Sequence, residues 1–246
     1  MKIIWTYSKD YKKGLKNNVV PHEYIQYLFR KAIKSAPDSY CKIIYTEEEN
    51  FPLFTDLVDA FIPREKKPFT FLADLKFDVA ELMSGEFLIS DGDLFLHNEL
   101  FLNNKPKIGF EVKIDRDHPR VLEYKKILLE NGIADIQPFW NIENKSSINL
   151  GLMYFNDDKI KNDYVKEFRK VQRFYNEHIE PRYKFNQRNI QFSACGSQMF
   201  SMQYFLSKKI EPYYFLHYKE NTVTHLAAHR KDNLIEEYVK EEKKEG

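Results

Sequence analysis

A chain of 246 residues with 43% hydrophobic and 30% charged residues can bury a sizeable core, which sets the disordered and low-complexity classes aside. A formal net charge of +1, with lysines interleaved among acids, lacks the basic excess that binding many phosphates requires and argues against a nucleic-acid partner. Its two cysteines, Cys41 and Cys195, follow no CxxC or Cys/His spacing, which excludes a zinc ribbon or disulfide framework and points to a reducing, cytoplasmic setting.

In chain order, Lys2 to Ser8 (KIIWTYS) reads as a buried first strand. Pro21 to Ala36 reads as a helix with Tyr24, Leu28 and Ile33 on one face. Cys41 to Thr46 and Ala60 to Pro63 are expected as parallel strands. Phe69 to Met83 has helical spacing and is closed by Gly85. Glu86 to Ser90 is strand-like and runs into Asp91-Gly92-Asp93. Lys107 to Ile114 alternates as a strand, and Pro119 to Asn131 is a helix closed by Gly132. Ala134 to Trp140 and Ile148 to Asn156 are expected as strands, and Asp157 to Ile179 as a long amphipathic helix. Cys195 to Leu206 is another helix, Tyr213 to Tyr218 and Val223 to Leu226 are short strands, and Asp232 onward is a charged helix. No apolar run reaches the length of a membrane span. Strands alternating with helices predict an α/β domain over 1–246, a mostly parallel sheet flanked by helices with a helical C-terminal region. In such sheets ligands sit at the carboxyl ends of the strands.

The chemistry concentrates at Phe87-Leu88-Ile89-Ser90-Asp91-Gly92-Asp93-Leu94-Phe95-Leu96. An apolar strand delivers two carboxylates separated by a glycine, a hard-oxygen pair able to hold Mg²⁺ or Mn²⁺ and, through it, a diphosphate. Taken alone, Asp-Gly also fits a hairpin turn.

The stretch Phe69-Thr70-Phe71-Leu72-Ala73-Asp74-Leu75-Lys76-Phe77, followed by a helix, Gly85, a strand and Asp91-Gly92-Asp93, resembles the GT-A glycosyltransferases that carry a DXD motif. The resemblance implies a nucleotide-sugar-binding half over about 1–115 and an acceptor-side half over about 116–246. It implies Asp91 and Asp93 on the metal and diphosphate, Asp74 near the nucleotide or sugar, and Lys76 close to the place of a family arginine, one residue short in register. It also implies Tyr7 as a ring against the base, although Trp5 and Tyr7 serve equally well as core rings. Ile148 to Asn156 resembles the family's N-x-G strand, with Asn149 and Gly151 beside the acceptor. A late histidine completes the family's metal site; His225 is the candidate, with Lys231 on the diphosphate and His217 and His229 as competitors. Gln198 falls where relatives place an acidic or amide group under the sugar. Glutamine cannot act as a general base, so on this resemblance a retaining course is favoured over an inverting one. The implied activity is metal-dependent hexosyl transfer from a nucleotide-diphosphate sugar, UDP-sugar foremost, with Asp93 and Gln198 at the chemistry.

Two other readings compete. Asp93 with Glu111-Val112-Lys113 echoes the D…ExK pattern of Mg²⁺-dependent nucleases, with Glu111 and Lys113 on one strand face. A binding protein of transferase shape without activity is the third.

Overall fold

The computed structural model describes residues 1–8, 22–66, 73–102, 104–114, 119–179, 188–217 and 223–225, without the side chains of His22, Arg120, Val121 and 188–195. Its centre is a seven-stranded sheet in the order β3-β2-β1-β4-β7-β6-β8. These strands are β1 (Lys2–Thr6), β2 (Cys41–Thr46), β3 (Ala60–Pro63), β4 (Phe87–Ser90), β6 (Ile108–Ile114), β7 (Ser147–Phe155) and β8 (Tyr213–Tyr214). Strands β3, β2, β1 and β4 run parallel, in registers such as Ile4↔Ile43 and Ile4↔Ile89. Only β7 runs against its neighbours, antiparallel to both β4 and β6, and β8 closes the edge parallel to β6. The sheet is therefore mostly parallel, as the alternating pattern predicts. A separate two-stranded ribbon joins β5 (Leu94–Leu96) to β9 (Val223–His225).

Parallel strands covered on both faces need apolar side chains in both directions, which is why KIIWT and FLIS are nearly unbroken apolar runs. One face carries Ile3, Trp5, Leu88, Leu152 and Tyr154 against α1 (His22–Ser35) and the ribbon. The other carries Ile4, Ile89, Phe110 and Phe155 against α2 (Asp74–Leu82), α3 (Pro119–Glu130), α5 (Asp158–Phe174) and α6 (Arg188–Lys208). Phe77 of α2 stacks on Phe168 of α5 with ring centroids 3.5 Å apart. A stacked aromatic pair is worth about 0.5–1.5 kcal/mol beyond its buried area. Asp157 starts α5 by accepting a hydrogen bond from the Ile160 N–H at 3.0 Å.

Three expectations are corrected. Ala134 to Trp140 is not a strand: α4 (Ile133–Ile136) begins at Gly132, whose φ of 89° suits glycine, and a 3₁₀ turn follows over Pro138–Asn141. Pro138 brings no N–H for a strand ladder, and Gln137 ties the segment down by donating to the Glu167 carbonyl and accepting from the Trp140 indole. Only Tyr213–Tyr214 of the strand expected over Tyr213 to Tyr218 pairs with β6; Phe215–His217 is a 3₁₀ turn. The helix expected to Ile179 ends at Phe174 and passes into a single π turn over Tyr175–Ile179. The helix expected from Asp232 lies outside the described residues. No described helix is long and apolar enough to cross a membrane.

Candidate metal centre

The acid pair lies at the carboxyl end of β4, beside the reversed strand β7. The ladder extends one residue past β4, with Asp91 N–H donating to the Gly151 carbonyl at 2.8 Å. The chain then turns, Leu94 N–H donating to the Asp91 carbonyl at 3.3 Å, and leaves as β5. Gly92 is dictated by packing: a Cβ there would lie 2.2 Å from the Phe29 ring of α1. The pairing of β5 with β9 sets Leu94 opposite His225 and carries that imidazole to Asp93. One ligand atom each from Asp91, Asp93 and His225 lie within 4.8 Å of one another. Two carboxylates and an imidazole are a donor set able to hold a divalent cation.

His225 stands between two acids. Its Nδ1 lies 2.8 Å from Glu111 Oε1, and its Nε2 lies 3.4 Å from Asp93 Oδ1. Burial works against the imidazolium, but the contacts with Asp93 and Glu111 outweigh it and raise the pKa to about 10. Asp91 is pushed above the usual carboxylate range by burial; Lys76 opposes that shift and Asp93 adds to it.

Lys76 rises from the first turn of α2, 4% exposed, with Nζ 2.6 Å from Asp91 Oδ1 and donating to the Leu150 carbonyl. Its ammonium is paired with the protein's own acid and backbone. Strand β7 is irregular at this point. Phe110 pairs with Met153 but Val112 pairs with Asn149, so three residues of β7 stand opposite Glu111 alone. The bulge brings Gly151 under Glu111 and His225, where a Cβ would lie 2.1 Å from Glu111 Oε2 and 3.0 Å from the imidazole. The space over Gly151 that the resemblance reserves for an acceptor is filled by these two side chains. Asn149 turns its carbonyl oxygen back to the Gly151 N–H at 3.0 Å.

None of the other expected residues that the structure describes belongs to this ligand group. Tyr7 is 1% exposed, edge-on to Phe29 and Phe54, a core ring rather than a platform for a base. Asp74 opens α2 and is buried. Gln198 is half-buried on α6. His217 ends a 3₁₀ turn against the Tyr214 ring and joins no metal-ligand group among the described residues. Lys231 and His229 lie outside the described residues. Glu111 was legible in the sequence only as part of the nuclease pattern; its signal was an acid between the apolar Phe110 and Val112 in mid-strand.

The same sheet edge carries a second charged cluster. Glu47, following β2, accepts hydrogen bonds from Ser8 after β1 at 2.6 Å, from Asn50 at 2.8 Å, and from Arg64 after β3. All four residues are buried.

No family model matches the sequence, and no curated protein matches it in sequence. Among solved structures the chain is similar to the galactosyltransferase LgtC in complex with donor and acceptor sugar analogues, at 13% identity and a TM-score of 0.41 over 78% of this chain and 69% of that one. It is similar to mouse xyloside xylosyltransferase 1 in its apo form, at 12% identity and a TM-score of 0.41 over 86% and 85%. It is also similar to the inositol-1-phosphate CTP transferase from T. maritima, at 13% identity and a TM-score of 0.40 over 94% and 93%. These are glycosyltransferases and a nucleotidyltransferase by name. At this distance the likeness transfers no residue role and no activity, so the reading of the site rests on its own geometry.

Proposed function

We propose that this chain is a metal-dependent glycosyltransferase that takes a sugar from a nucleotide-diphosphate donor. The observation that carries the reading is the convergence of Asp91, Asp93 and His225 at the carboxyl end of β4. That is the edge where open, mostly parallel sheets receive ligands. Asp91, Asp93 and His225 would hold the cation, which when bound supplies positive charge for a departing diphosphate. Lys76 holds one Asp91 oxygen across 2.6 Å. A UDP-sugar donor and a retaining course with Gln198 beneath the sugar remain parts of this proposal, as does a diphosphate contact from Lys231.

The nuclease pattern gains no support from the geometry, because Glu111 is bound to His225 rather than joined to the acid pair as a ligand.

The test is a panel of nucleotide-sugars incubated with Mn²⁺ and assayed for release of nucleoside diphosphate. Turnover that stops with EDTA and in Asp93→Ala, with the fold retained by circular dichroism, supports the reading. Full turnover in Asp93→Ala, or no donor turned over or bound with Mn²⁺, overturns it. Inversion at the anomeric carbon, read by NMR of the product, removes the retaining course alone.

A further inference from the structure

Glu111 is 2% exposed, in the middle of a strand whose neighbours Phe110 and Val112 are apolar. A buried carboxylate is retained at a cost in desolvation unless a partner repays it. Among the described residues the partner is His225 Nδ1, at 2.8 Å from Oε1, while Oε2 has no hydrogen bond at all. Glu111 is not part of the metal-ligand group. It stands behind the imidazole, on the nitrogen that points away from Asp93, and the two ring nitrogens diverge. The fold makes room for this contact deliberately. The bulge in β7 and the missing side chain of Gly151 together clear the space that Glu111 and His225 occupy.

We propose that Glu111 is the positioning residue of the metal centre: by accepting the Nδ1–H of His225 it fixes the ring's rotation and tautomer so that Nε2 is presented to the cation beside Asp93. The inference rests on the reading of Asp91, Asp93 and His225 as a cation site. A carboxylate behind a ligating imidazole also makes the ring a better donor, and loss of such a partner typically weakens metal binding by about 10–100-fold. No atom of Glu111 touches substrate in this account; it acts through His225.

The experiment uses the full chain with Mn²⁺ alone as the probe, followed by electron paramagnetic resonance titration. Glu111→Leu, which removes acceptor and charge, is expected to weaken Mn²⁺ binding by at least about tenfold. Glu111→Gln, which keeps the shape, is expected to fall between that variant and wild type. In parallel, NMR of metal-free protein selectively labelled at histidine is expected to show a downfield, slowly exchanging His225 Nδ1 proton that Glu111→Leu loses and Glu111→Gln moves upfield. Folded variants that bind Mn²⁺ within twofold of wild type overturn the proposal, as does a wild-type His225 with no such proton. If Glu111→Leu does not fold, the Gln variant and the wild-type proton signal decide. A wild-type chain that binds no Mn²⁺ yet shows the Nδ1 proton would instead sink the metal reading, so the two failures are distinguishable.

Discussion

Lys76 on α2 holds Asp91 at the end of β4 across 2.6 Å, joining the helical layer directly to the acid pair. Burial pushes the Asp91 carboxyl up and the Lys76 ammonium pulls it down. In Lys76→Met the downward pull is gone, so the Asp91 carboxyl should titrate at a higher pH than in wild type. Carbon-13 NMR of the labelled Asp91 side chain, in EDTA, measures this. An unchanged or lower midpoint would contradict the pairing.

His225 makes the metal-free protein sensitive to alkali. Its folded pKa of about 10 lies above its ordinary value of 6.5. The stabilisation is fully present below 6.5 and is lost as pH rises through about 10, because in that window the folded chain holds a proton the unfolded chain has released. Urea midpoints in EDTA should therefore fall between pH 7 and pH 10, and the fall should shrink in His225→Gln. Mn²⁺ binding at pH 7.5 should release a proton from the ring, seen as a dependence of calorimetric enthalpy on buffer ionisation. No dependence on buffer would mean that His225 is already neutral or is no ligand.

Gly92 is the contact point between α1 and the acid-bearing turn. Gly92→Ala places a Cβ 2.2 Å from the Phe29 ring. Overpacking of this kind costs about 1–3 kcal/mol. The loss, measured by urea unfolding, should be largely recovered in Gly92→Ala/Phe29→Leu. A double variant no more stable than the single one would place the strain elsewhere.

The Glu47 cluster is a buried ion pair with neutral donors around it. Arg64→Met removes the guanidinium and leaves Glu47 with the Ser8 and Thr46 hydroxyls and the Asn50 amide. Breaking a buried pair by removing one partner costs about 3–5 kcal/mol. Glu47→Gln/Arg64→Met should lose less than the sum of its single changes. Strict additivity in chemical denaturation would show that the two side chains are not coupled.

The sheet and the acid pair were readable because their signals are local. Unbroken apolar runs mark buried parallel strands, and Asp91-Gly92-Asp93 follows one of them directly. Ala134 to Trp140 misled for the same reason: a short apolar run fits a strand or a buried helical turn, and only the bonds of Gln137 to Glu167 and Trp140, made in the fold, decide between them. Tyr7 shows the complementary difficulty, since a ring at the end of a first strand reads alike whether it faces a ligand or, as here, Phe29 and Phe54. Glu111 and His225 are 114 positions apart, and their meeting depends on the bulge in β7 and on β9 pairing with β5. Neither register is written in a local pattern, so the carboxylate behind the histidine became visible only in the folded chain.

The ribbon has a thermodynamic corollary. Two of the cluster's side chains, those of Asp91 and Asp93, are anchored where β4 ends, whereas the third arrives on a strand of three residues, clasped by Leu94↔His225, Leu96↔Val223 and a 3.0 Å hydrogen bond between His97 and Thr224. Peeling β9 away would strip the imidazole while leaving the aspartates in place. With a cation held as proposed, its occupancy and ribbon closure would be linked equilibria: each would zip the other shut by the same factor, and loosening either one would release both.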